Sequence, residues 1–256
     1  MNKTSFLFLL LVLTSCHDFE LSKSIHKDRL YERNGIEYIK LKISNNNIYL
    51  NKTEITHLSE ISQLAAYARD TSKEDTEIRT ILYIDKNCNY FRVDSIIKEL
   101  RKSAIHRYSF KTNSISESSY VNLWFGPFYA DWDSLQYEML NTTKLQRDSL
   151  NLLVINKESN KTYNLNGSIL SKKEVMHKLG NSIQDSVRCM YIINPGIENT
   201  ISDVIKMADL YNLVLNEKKE KYSQTKFGQS HHEIEDSLKL DIRNRFRKLI
   251  NILPKQ

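Results

Sequence analysis

Two stretches of the chain repeat one order of hydrophobic and polar positions. In the first, Tyr38–Ile43 and Asn47–Leu50 flank Asn45-Asn46, the signature of a hairpin. Leu58, Ile61, Leu64, Ala65 and Ala68 then recur at helical spacing. Arg79–Asp85 is an apolar run of the buried-strand type. Val93, Ile96, Ile97 and Leu100 fall on one face of a second helix, and Ile105–Lys111 alternates as a closing strand. The predicted order is ββαβαβ.

The second stretch follows the same order. Asn151–Asn156 and Lys161–Leu165 read as a hairpin, Val175, Met176 and Leu179 as a helix, and Val187–Ile193 as a strand. Ile201–Leu210 reads as a second helix and Asn212–Glu217 as the strand that closes the unit. "IYLNKTEITHLSEISQL" from Ile48 has a blurred copy, "YNLNGSILSKKEVMHKL", from Tyr163. Leu50-Asn51 matches Leu165-Asn166 at an offset of 115, and both Tyr83/Tyr191 and Ile97/Ile205 match at 108. A shared offset argues for duplication into two units. The expected fold is therefore α/β (α+β): two tandem modules over 36–112 and 150–217, each a mixed sheet with two helices on one face. A bridge over 113–149 joins them, and a tail over 218–256 follows.

Composition narrows the function classes. No two of the 6 glycines lie within six residues of each other, which excludes G-x-G-x-x-G and G-x-x-x-x-G-K phosphate loops. The net charge of +6 is concentrated in the tail, where ten Lys/Arg from Lys218 onward face five Asp/Glu. The body is neutral, so no nucleic-acid groove is expected through the fold. No G-x-S-x-G, C-x-x-C or H-E-x-x-H motif is present, and no cofactor is implied. His231-His232-Glu233 lacks the helical spacing of a zinc pair, because position 236 is Asp.

The N-terminus reads as an address. "MNKTSFLFLLLVLTSC" has Lys3, eight apolar residues from Phe6 to Leu13, then Thr14-Ser15-Cys16. That run is too short to span a bilayer, which takes about 20 residues, and it has the form of a signal peptide over 1–15. Leu13–Cys16 resembles a bacterial lipobox, which makes Cys16 the lipidated first residue of an anchored protein. "HDFE" after it resembles the acidic export signal of Bacteroidota lipoproteins, so a periplasm-facing and a surface-exposed anchor both stand. Residues 16–35 read as a tether.

"IYLNKTEIT…LSEISQLA…ILYIDKNCNYFRVDSIIKELRKSAIHRYSF" resembles the periplasmic domain of the ExbD/TolR family. Tyr49-Leu50-Asn51, Asp85-Lys86, Tyr90 and Ala104-Ile105 stand at that family's motif positions, with Lys52 and Phe91 where glycine is usual. The resemblance is clear over Tyr38–Lys111 and fainter over Asn151–Glu217. It implies a soluble module that dimerises and engages envelope proteins or peptidoglycan. The family's transmembrane helix, whose intramembrane aspartate couples to protons, has no counterpart here, so proton coupling is not implied. Tandem copies within one chain can stand in for the homodimer. The expected role is a non-catalytic binding or scaffold component of the envelope, fixed to a membrane by its N-terminal lipid.

Three local features have two readings each. At the turn after the third strand of the first unit, Asp85, Lys86 and Tyr90 contact a partner or merely cap the following helix. Trp124, Phe125 and Trp132 in the bridge form a platform for a protein, glycan or peptide, the last two implying surface capture, or pack the units together. The tail places Ile234, Leu238, Ile242, Phe246, Leu249 and Leu253 on one stripe, an amphipathic helix that lies on headgroups or docks on the second unit. Cys88 and Cys189 are not at equivalent places; an internal disulfide is one reading and separate core thiols the other.

Overall fold

The computed structural model describes residues 19–24, 35–74, 76–105, 107–113, 118–121, 124–125, 150–184, 188–246 and 250–252. The described residues form a mixed α+β fold with two six-stranded mixed sheets and five helices. In the first half, β1 (Ile36–Ile43), β2 (Ile48–Leu50) and β3 (Thr53–Glu54) make a meander, followed by α1 (Ser59–Asp70) and β4 (Glu77–Ile84). Then come α2 (Tyr90–Lys102), β5 (Tyr108–Asn113) and β6 (Ser118–Val121). The sheet order is β3-β2-β1-β4-β5-β6, with β1, β4 and β5 parallel and the other pairings antiparallel.

The second half contains β7 (Trp124–Phe125), β8 (Leu150–Lys157), β9 (Thr162–Leu165), β10 (Ser168–Ser171) and α3 (Lys172–Ser182). It continues with β11 (Arg188–Ile193), α4 (Ile201–Phe227), α5 (Asp236–Arg245) and β12 (Ile250–Ile252). Its sheet runs β10-β9-β8-β11-β12-β7, with β8, β11, β12 and β7 parallel.

Alternation decides which face each strand buries. On β1, Ile39, Leu41 and Ile43 are buried while Lys40 and Lys42 are exposed. Ile61 and Ala65 of α1, and Val93, Ile96, Ile97 and Leu100 of α2, join the buried face in a core continuous with that of the second half. Each fully buried Leu or Ile contributes about 1.5–3 kcal/mol, so this row of aliphatics fixes the register. In the second half Tyr191 stacks on Tyr211 with centroids 4.9 Å apart, which ties β11 to the middle of α4.

The two meanders close in the same way. Asn51 (φ 46) and Lys52 (φ 82) turn β2 into β3; Asn166 (φ 50) and Gly167 (φ 83) turn β9 into β10. Consecutive positive φ values are those of a type I′ hairpin turn. Asn51 Oδ1 accepts the Lys40 N–H at 2.8 Å, and Asn166 Oδ1 accepts the Val154 N–H at 2.7 Å. Each asparagine therefore ties its turn to the first strand of its own meander.

Four sequence expectations change. Asn212–Glu217 is not a strand: Ile201, Val204, Ile205, Ala208, Tyr211 and Leu215 are buried at helical spacing, and no Gly or Pro interrupts α4 before Gly228. The place beside β11 is taken instead by β12, from the end of the tail. The tail is accordingly not one amphipathic helix over 233–253; α5 spans ten residues and the chain then becomes a strand. Its apolar stripe docks, with Ile234, Ile242 and Phe246 buried in the core. Residues 19–24 are not a free tether, because they lie bound across the ends of β4 and β5. The short strands β3, β6 and β10 were not foreseen; two to four residues carry too little periodicity to read.

Candidate functional site

The turn leaving β4 is held by the chain's own leading segment. Asp85 is buried, with 5% of its surface exposed. Its Oδ1 accepts the Asn87 N–H at 2.9 Å and its Oδ2 the Glu20 N–H at 3.0 Å. The Lys86 N–H donates to the Glu20 carbonyl at 2.7 Å, and the Lys86 ammonium pairs with the Glu20 carboxylate. Further on, the Asn113 N–H donates to the Ser22 carbonyl and the Ser24 N–H to the Asn113 carbonyl. The Ser24 hydroxyl reaches Asp209 on α4 at 2.8 Å. The leader thus covers the carboxyl ends of two parallel strands, the end at which α/β sheets commonly bind ligands.

Tyr90 has no exposed surface, and burial pushes its phenol well above the usual range. Its side chain is core, and the cap of α2 is Asn89, whose Oδ1 accepts the Phe91 N–H at 2.8 Å. Asp85, Lys86 and Tyr90 therefore do not form one exposed patch; Lys86 alone of the three stays partly exposed, beside Glu20.

The same turn meets its counterpart after β11. The Tyr90 N–H donates to the Asn199 carbonyl at 3.0 Å, and the Ile201 N–H returns a bond to the Cys88 carbonyl at 2.9 Å. Asn89 and Thr200, the N-caps of α2 and α4, sit opposite each other as an antiparallel bridge. The Asn89 side chain also donates to the Ile197 carbonyl at 2.9 Å. Inside each turn the hydrogen bonding agrees as well: Cys88 N–H to Asp85 carbonyl, Asn199 N–H to Gly196 carbonyl. Every matched pair here (Asp85/Gly196, Cys88/Asn199, Asn89/Thr200, Tyr90/Ile201) differs by 111 in number rather than the 108 read from side-chain likeness.

Two helix N-termini brought together place like partial charges side by side. At α4 the conflict is relieved by a capping box of Thr200 and Asp203. Asp203 also pairs with Lys157 at 2.5 Å, both side chains 11% exposed. Burial opposes the Asp203 charge, but the Lys157 and Thr200 hydrogen bonds outweigh it and hold the carboxyl below its usual range.

Trp124 and Phe125 form β7, paired in parallel with β12 at the edge of the second sheet. Cys16 and Trp132 lie outside the described residues. Cys88 and Cys189 are separate buried thiols, pushed up by burial to about 11 and about 12. Among the described residues no group of three His, Cys, Asp or Glu side chains is placed to hold a metal ion, and no helix is long and apolar enough to cross a membrane.

One surface went unremarked in the sequence. The outward face of the first sheet carries Tyr38, Lys40, Lys42, Tyr49 and Tyr83, with Asn51 and Lys52 at its rim, around an open groove of about 800 Å³. The signal was present in the alternation Tyr38-x-Lys40-x-Lys42, which gives every outward position of β1 there to an aromatic or a cation. Compared with known proteins, the chain matches no family model, and no curated protein or solved structure is significantly similar to it.

Proposed function

We propose that the protein is a non-catalytic binding or scaffold component of a bacterial envelope, anchored by lipid at Cys16 and built from two tandem ββαβαβ units of the ExbD/TolR kind. The observation that carries this reading is the reciprocal pair of hydrogen bonds between the starts of α2 and α4. Reciprocity belongs to any antiparallel bridge, but this one joins residues at equal places in their turns, 111 apart in number, as a two-fold contact between like units does. Within one chain it suits two copies of a module that dimerises. The matching sheet orders and the paired Asn51 and Asn166 turns support the same relation. In the second unit the closing strand is β12, reached after α4 has run on and α5 has intervened.

Partner engagement is assigned to edge strand β10. It is four residues long, pairs on one side with β9, and carries Ile169, which is 67% exposed. An edge with an exposed aliphatic suits addition of an extended segment from an envelope protein. Photo-crosslinking in cells from position 169 tests the assignment, with Tyr67 of α1, 69% exposed, as the control position. Adducts with an envelope protein from position 169 and not from position 67 are expected. Equal adducts from both positions, or none from 169, would remove β10 as the docking edge. Palmitate labelling that is lost in Cys16→Ala tests the anchor separately.

A further inference from the structure

The basic face of the first sheet and the position of the leader bear on each other. Lys40, Lys42 and Lys52 are exposed around the groove, whose lining includes no acidic side chain, and none of the three forms an ion pair among the described residues. The nearest acid on β3, Glu54, is within 3.5 Å of the Tyr49 hydroxyl. On the second sheet the outward positions of β8 and β9, Leu152, Val154 and Asn164 among them, are uncharged by comparison. Lys52 holds a φ of 82, a conformation that glycine adopts without strain and that Gly167 occupies in the matching turn. A third cation thus stands at the rim where the backbone would favour no side chain.

Phe19 connects this face to the N-terminus. Its ring lies under the Lys42 ammonium, 4.4 Å from centroid to nitrogen, and the residues after it are bound across the ends of β4 and β5. Cys16 is three residues earlier, and three residues span at most about 11 Å. An acyl chain on Cys16 therefore cannot hold the fold at a distance. It brings the Lys42 side of the first sheet to within about one headgroup layer of the bilayer.

From this we infer that the outward face of the first sheet lies on the membrane, with Lys40, Lys42 and Lys52 against the phosphates of anionic phospholipids and Tyr38, Tyr49 and Tyr83 at the headgroup boundary. The inference rests on the lipid anchor at Cys16. Tyrosine suits that boundary because one end is apolar and the other hydrated. Each lysine near an anionic surface strengthens association by about five-fold, so three give about a hundredfold preference for this orientation. The second unit, with edge β10, is left to meet a partner.

Amine-reactive footprinting tests the orientation on the lipidated protein in vesicles of phosphatidylcholine alone or with phosphatidylglycerol. Lys40, Lys42 and Lys52 should label several-fold less in the anionic vesicles, high salt should reverse the protection, and the exposed Lys172 and Lys173 of α3 should not change. The variant Lys40→Glu/Lys42→Glu/Lys52→Glu should lose the dependence of its remaining footprint on phosphatidylglycerol. Equal labelling of the three lysines in both vesicles would overturn the inference. So would their protection by soluble anionic glycan strands and not by anionic vesicles, which would make the face a polymer site. Palmitate incorporation reads the anchor independently. If the protein carries no acyl chain, the same footprint with excess vesicles still tests the face: protection of the three lysines supports it and equal labelling overturns it.

Discussion

The matching turns at Asn51-Lys52 and Asn166-Gly167 offer a test in which backbone conformation is separated from packing. Both second positions have φ near 82, and a Cβ built on Gly167 meets nothing within 4 Å. The cost of a side chain there is therefore conformational: about 1–2 kcal/mol for an L-residue in the left-handed region. Glycine forfeits about 0.5–1 kcal/mol of this through the larger entropy of its unfolded chain. Lys52→Gly should stabilise the fold by about 0.5–1 kcal/mol, and Gly167→Lys should destabilise it by about the same amount. For a chain of this size 1 kcal/mol corresponds to about 2–4 °C in Tm. Urea denaturation of the two variants and of the double exchange measures the effect, which should cancel in the double variant because the turns are in different sheets. Lys52→Ala separates charge from strain, since it removes the ammonium and keeps the φ. If Lys52→Gly fails to stabilise while Lys52→Ala destabilises, the lysine side chain supports the turn and the conformational account is wrong.

Asn89→Ala removes both the cap of α2 and the bond to Ile197, whereas Asn89→Asp keeps the cap and removes the donor. Thermal unfolding should show a loss of about 1.5–2 kcal/mol for the first and about 0.5–1 for the second, and equal losses would show that the bond between the turns contributes nothing. Lys157→Met leaves Asp203 half-paired and should cost about 2 kcal/mol at neutral pH. Because the Asp203 pKa is lowered on folding, its contribution is complete above the unfolded carboxylate range, near pH 4, and is lost as pH falls through the folded value. The gap between wild type and Lys157→Met in urea should therefore narrow on going from pH 7 to pH 3; a constant gap would contradict the pairing.

Much of the strand and helix order was legible because long periodic segments declare themselves. The alternation of Tyr38–Ile43 and the helical stripe Val93, Ile96, Ile97, Leu100 needed no tertiary knowledge. The closing strand of the second unit was not legible. Asn212–Glu217 has strand-like residues, but burial of Tyr211 and Leu215 on α4 decides for helix, and that depends on what packs against them. Ile250–Ile252 is three residues long and finds its place only because β11 has an open side. At the candidate site, Asp85 and Lys86 stood out in the sequence, yet their bonds to Glu20 were hidden. Glu20 lies 65 positions away from Asp85, and nothing in a run of polar residues announces that it folds back. Tyr90 was grouped with the turn before it, whereas it is the first residue of α2 and is fully buried.

In the proposed architecture two like units face each other within one chain through the turns that start α2 and α4. Asn89 and Thr200 are bridge partners across that contact, and paired residues of antiparallel strands bring Cα atoms to about 4.5–5.5 Å, within disulfide reach. The thiols of Cys88 and Cys189 are buried, which shields them from exchange. In Asn89→Cys/Thr200→Cys, mild oxidation followed by non-reducing electrophoresis should give a faster-migrating single chain joined internally. A disulfide-linked pair of chains, or no bond under conditions that oxidise exposed thiols, would contradict the claim.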